Sequence, residues 1–228
     1  ILNSYNESSP WSNSITTPIV HKIAGIENMD AYIEHLNLFM VGDSTKIERF
    51  PEILSSKYGS TPPRLLVFIG SMSLIFREEI QSLWGKVPAI VCGADPYVYH
   101  EKFYRQRDTV TPEEKTHMSE LAEEFNFTYM HTPIYLEENV QLMCRMIPGM
   151  KKLIFLGDGI YPNPEYDKQL RELIKDKYPQ MDYEYISSRT NSLHQLYNAV
   201  RKTDKTTGIL VSTWFTESFT SSNFLINA

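Results

Sequence analysis

Cysteine is scarce in this chain: Cys92 and Cys144 are the only two among 228 residues. They lie far apart, outside any C-x-x-C pair and away from histidines at metal-ligand spacing, which excludes a zinc-finger or dithiol redox motif. Both read as small apolar residues of a core. The sequence also lacks any run near the roughly 18 to 20 apolar residues of a membrane span. No basic-then-apolar leader precedes Ile1, so the chain reads as an excised piece, with any signal peptide or membrane anchor outside it. Clustered positive charge is missing as well. The 22 Lys and Arg residues are scattered and outnumbered by 28 Asp and Glu, for a net charge of -6. That balance excludes a broad phosphate-binding surface, and with it nucleic acid as a partner. The phosphate loop G-x-x-x-x-G-K-[ST], the G-x-S-x-G elbow, H-E-x-x-H and G-x-G-x-x-G are all absent. No cofactor and no metal are expected.

What is present is apolar content of 42%, enough for real cores. It is arranged as short branched runs alternating with helix-like segments, the pattern of parallel sheets flanked by helices. The runs predict strands over 1–4, 35–41, 65–69, 89–92, 128–131, 153–156, 182–186 and 209–212. Helices are predicted over 12–23, 45–58, 73–83, 112–125, 136–147, 164–177 and 192–202. Thr111 followed by Pro112, Glu113 and Glu114 predicts a capped helix start with acids against the positive end. Tyr178 before Pro179 predicts a helix stop. Leu170, Leu173 and Ile174 form one apolar stripe. The stretch 94–127 differs from the rest. It is aromatic and charged, is predicted to lack a strand, and reads as a surface insertion over a binding region. Five strands precede about residue 132 and a second series starts at Leu153, which predicts two α/β lobes, 1–132 and 133–228.

One kind of site is written twice. "RLLVFIGSMSLIFREEI" (64–80) and "KKLIFLGDGIYPNPEYDKQL" (151–170) each run from basic residues through an apolar strand to glycine, small polar residues and a helix. In open parallel sheets, ligands bind outside the carboxyl ends of strands. Asp158 sits at such an end, either as a polar contact for ligand hydroxyls or amines or as a cap tying down its own loop. Ser71 follows the matching strand, with Ser73 the expected N-cap of the next helix. Ser4, Tyr5 and Trp11 follow the first strand, where an aromatic ring either stacks on a ligand or joins the core. Asp95 ends the strand after Ala89. Ser187, Ser188, Thr213 and Trp214 hold equivalent ends in the second lobe. His21, His35, His117 and His194 fall within predicted elements and read as structural. His100 and His131, beside Asp95 or Asp158, are the residues an enzymatic alternative would use.

"ILNSYNESSPW" (1–11), "PAIVCGADPY" (88–97) and "NVQLMCRMIPGMKKLIFLGDG" (139–159) resemble the periplasmic-binding-protein type 1 sensor domains of membrane-bound bacterial histidine kinases, a pattern shared with substrate-binding proteins of ABC transporters. The signature residues are Asn3, Ser4, Tyr5, Pro10 and Trp11 at the start, and Pro148, Lys151, Lys152, Gly157 and Asp158 later. The chain departs from the pattern in its longer 97–127 insertion, in "FTYMHTP" at 127–133 and in a second lobe that is incomplete. The resemblance implies two doubly wound, Rossmann-like parallel-sheet lobes that close on a small molecule, in a periplasmic or extracytoplasmic part of a membrane protein. A homodimer, or a protein partner met by 97–107, is compatible with it. It implies no enzymatic activity for this segment. The alternatives are an ABC substrate-binding protein and a doubly wound enzyme using Asp158.

Overall fold

The structure is a computed structural model and describes residues 1–38, 44–59, 61–99, 115–159 and 162–214. The chain divides into two compact units, Ile1–Thr132 and Pro133–Ala228, and it is an α/β protein built on parallel sheets.

The first unit contains β1 (Leu2–Asn3), α1 (Pro10–Ala24), β2 (Glu34–His35), α2 (Ser44–Tyr58) and β3 (Leu66–Ile69). A 3-10 segment (Ser71–Phe76), α3 (Arg77–Trp84), β4 (Ala89–Ala94), β5 (Tyr97–Tyr99), β6 (Lys115–His117), α4 (Met118–Phe125) and β7 (Phe127–His131) complete it. Five strands form a parallel sheet in the order β2-β1-β3-β4-β7. Alternation sets the two faces of β3. Val67 and Ile69, with Cys92, pack on Ile15 and Ile19 of α1, while Leu66 and Phe68 face Leu74, Ile80 and Phe125 across a small void of about 20 Å³. The direction in which successive strands are added therefore reverses between β1 and β3, with connections leaving to opposite faces of the sheet.

The second unit contains α5 (Leu136–Met146), β8 (Lys152–Gly157), α6 (Asn163–Lys177), β9 (Asp182–Ser187), α7 (Leu193–Arg201) and β10 (Thr207–Val211). Its parallel sheet runs β10-β8-β9, in register from Lys152 to Gly157. Leu153 and Phe155 pack against Val140, Leu170 and Ile174, so the predicted α6 stripe is the core face. Ile154, Leu156 and Ile186 pack against Leu196 and Trp214 on the opposite face. Burying about five such side chains per face, at about 1.5–3 kcal/mol each, is the main force holding each layer.

Four expectations need correction. The 94–127 stretch is not strand-free, because β5 and β6 pair antiparallel, Tyr97 opposite His117. Lys115–His117 is accordingly strand rather than helix, and α4 starts at Met118, where the His117 ring accepts from the Ser119 N–H. The expected cap at Thr111–Glu114 lies outside the described residues. The strand expected over 35–41 is only Glu34–His35, with 36–38 irregular and 39–41 outside the described residues. Ser73 does not cap α3, since it lies inside the 3-10 segment and its own N–H and hydroxyl are engaged in the turn at Gly70. Cys92 and Cys144 are free thiols, Cys92 buried and Cys144 half-buried.

Candidate functional site

Open α/β sheets present ligand sites where the strand order reverses, outside the carboxyl ends. In the first unit that point lies between β1 and β3. Gly70, at φ 80°, turns the chain there, and a Cβ would stand 3.0 Å from both Ser4 Oγ and the Tyr5 ring. The buried Ser4 hydroxyl accepts from the Ser73 N–H at 2.9 Å and donates to the Gly70 carbonyl at 3.3 Å. Ser73 Oγ donates to the same carbonyl at 2.8 Å. Ser71, one residue on, donates its hydroxyl to Asp95 Oδ2 at 3.3 Å. Burial, and then the Asp95 charge, push the Tyr5 phenol well above its ordinary range. Trp11 opens the first turn of α1 and lies 5.1 Å from the Tyr5 ring centroid to centroid. It also rests on Gly93, where any Cβ would come within 2.1 Å of the indole. The indole is 43% exposed, so it is not a core residue.

In the second unit the reversal lies between β8 and β10. Asp158, 1% exposed, donates its N–H to the Thr213 carbonyl at 2.7 Å. Its carboxylate accepts from Asn163 Nδ2 at 2.7 Å, and the same amide donates to Thr213 Oγ1 at 2.8 Å. Asp158 thus ties the end of β8 to the first residue of α6 without being its N-cap, which is Pro162. Asn163 Oδ1 is buried with no partner among the described residues. Orienting the amide the other way would set an acceptor against the carboxylate. Tyr185 donates its hydroxyl to the Asp158 carbonyl at 2.8 Å. Burial is the larger cause, and the Asp158 charge a further one, of the Tyr185 phenol being pushed up to about 12. Ser187 Oγ accepts from the Arg189 N–H at 3.2 Å, and Ser188 is buried beside it. Trp214 sits in the core rather than at an open edge, and its Nε1 has no hydrogen-bond partner among the described residues.

The candidates therefore assemble as two groups, each inside its own unit: Ser4, Tyr5, Trp11, Ser71 and Asp95, and Asp158, Ser187 and Thr213 with buried Trp214. Sequence reasoning missed Asn163 and Tyr185. Asn163 carried a signal only as the residue before Pro164 at a helix start, and nothing local pointed its amide back to Asp158. His131 ends β7 and His100 lies outside the described residues. Among the described residues no three His, Cys, Asp or Glu side chains converge as a metal site, and no helix is long and apolar enough to cross a membrane. A groove of about 550 Å³ runs between α2 and α3, lined by Leu54, Phe76, Glu79 and Leu83 among others. None of the candidate residues lines it or the smaller void.

No protein-family model and no curated protein matches the chain. Among solved structures, it is similar to the ligand-free, open form of a substrate-binding protein with adhesive properties from Clostridium difficile. The identity is 10% and the TM-score 0.49, over 88% of this chain and 60% of that one. This chain therefore spans less than two thirds of that protein's length, and at this level of likeness nothing about ligand or role transfers.

Proposed function

We propose that the chain is the extracytoplasmic ligand-sensing domain of a membrane-bound two-component histidine kinase, in which the strand tips of the α/β units supply the contacts to a small solute. The observation that supports this reading is the coincidence, in each unit, of the strand-order reversal with a carboxylate, hydroxyls and an aromatic ring: Asp95, Ser71, Tyr5 and Trp11 in one, Asp158, Thr213 and Tyr185 in the other. Such constellations can orient a polar organic ligand. A ligand that binds one conformation better than another shifts the population toward it, which is how occupancy would be signalled to a kinase. A carrier role beside an ABC permease would use the same site chemistry; a kinase core encoded in the same gene would favour the sensor, and a neighbouring permease gene the carrier.

The test is a thermal-shift screen of amino acids, amines, sugars and organic acids on the intact chain. A ligand at 100 times its Kd stabilises by about 2.7 kcal/mol, a readily measured shift. At least one class should raise the midpoint, and Ser71→Ala or Asp158→Asn should diminish that rise. If every class leaves the midpoint unchanged, the binding reading is wrong.

A further inference from the structure

We propose that the second unit associates with a second copy of this chain, edge strand β10 pairing antiparallel with its counterpart and the two α5 helices meeting across the two-fold axis. The proposal is independent of the solute-binding reading above. Its first support is the edge of the sheet. Among the described residues β10 pairs on one side only, with β8. An unpaired strand edge is a template for another strand, and proteins guard such edges with charges, prolines or bulges. β10 holds no charged residue and no proline, runs in unbroken register, and leaves Val211 54% exposed. The opposite edge, β9, is guarded. It carries Asp182 and Glu184, the latter paired with Lys152.

The second support is α5, which lies directly on β10, since a Cβ at Gly208 would stand 2.6 Å from Met143 Cε. Leu136, Val140 and Met143 turn the core face of this helix to the sheet, and Glu137 reaches Lys177 of α6 on one flank. At 3.6 residues per turn, Leu142 and Met146 fall on the other flank, away from α6. They are 52% and 71% exposed, and with exposed Tyr135 and Asn139 they form a stripe spaced four, three and four residues apart. That is the spacing of a seam that packs against another helix. Two-fold pairing runs the β10 strands antiparallel and carries the overlying α5 helices antiparallel with them. Glu138 and Arg145 are exposed on the outer border of the stripe, two turns apart. Antiparallel alignment sets Glu138 against the partner's Arg145, and Arg145 against the partner's Glu138, so the charges match at both places. Lys177 is taken by Glu137 and feels Glu138 only through space.

Sedimentation of the intact chain over a range of concentrations tests this. One short strand and one helix flank per copy make an interface at the low end of specific contacts, on the order of 1,000 Å². A monomer–dimer equilibrium that moves with concentration is therefore expected. Val211→Lys and Leu142→Glu, both at exposed positions, should each weaken the dimer about ten-fold or more. Glu138→Arg and Arg145→Glu should each weaken it too, and the two together should restore it. Amides of 207–211 in the unaltered chain should exchange more slowly as concentration rises, which keeps the test decisive should a variant fold poorly. A chain that stays monomeric at every concentration would overturn the proposal, and slow exchange at 207–211 in that monomer would mean that the edge is covered from within the chain. A dimer indifferent to these substitutions, or one weakened by the single charge reversals and not restored by the double, would overturn it as well.

Discussion

Single side chains fix the geometry at both reversal points. Asn163 is the clearest case: its amide serves Asp158 and Thr213 at once, and Gly157 must lack a Cβ because one would stand 2.9 Å from Asn163 Cγ. Asn163→Leu should lower the stability of the protein by about 1–3 kcal/mol, since a buried carboxylate loses a donor, as read by urea denaturation. Gly93→Val should displace the Trp11 indole and add strain at positive φ, lowering the thermal midpoint and changing tryptophan fluorescence. A third group lies on the opposite ends of the strands, where Glu34 accepts from Lys57 and Tyr58. Burial pushes the Glu34 carboxyl up, but these hydrogen bonds outweigh it and hold the group below its ordinary 4.5. A folded value below the unfolded one means stability that is present above 4.5 and lost as pH falls through the lower folded value. Glu34→Gln should therefore be less stable by about 1 kcal/mol at neutral pH and should lose less on acidification than the unaltered chain. The candidate residues themselves were legible because a glycine or small polar residue ends an apolar strand at Ser4, Ser71 and Asp158. Asn163 was not, because its role depends on a loop folding back onto β8, which no local pattern records.

At the scale of elements, strands and helices with strong apolar patterns agreed with expectation, and disagreements fell where tertiary contacts override local preference. The expected helix start at Ser73 gave way to a 3-10 turn because Ser4, distant in sequence, takes its N–H. The hairpin of β5 and β6 was missed because its two short strands are far apart in sequence and held by ring contacts such as Tyr97 on His117, centroids 5.2 Å apart. Helix α7 was legible for the opposite reason. Ser192 and Gln195 form a reciprocal capping box, entirely local in sequence. Ser192→Ala should cost about 1 kcal/mol, measurable as a lowered thermal midpoint, while Ser192→Asp should largely restore it.

For the whole molecule, the alternation of apolar runs and helical segments was sufficient to specify an α/β chain with parallel sheets, since the central strands β3 and β8 are buried on two faces and need helices to cover both. Strand order was not legible. It is set by which face each connection takes, and it is the order that puts Gly70 beside Ser4 and Tyr5 and Asp158 beside Thr213. Those neighbours are the reason for locating function at the strand tips rather than in the larger groove between α2 and α3. Amide hydrogen exchange of the intact chain, with and without the solute that most raises its thermal midpoint, tests this directly. Exchange should slow at 3–5, 70–73 and 93–95 in the first unit and at 157–159 and 212–214 in the second. Protection confined to 51–54 and 76–83, along the α2–α3 groove, would contradict it.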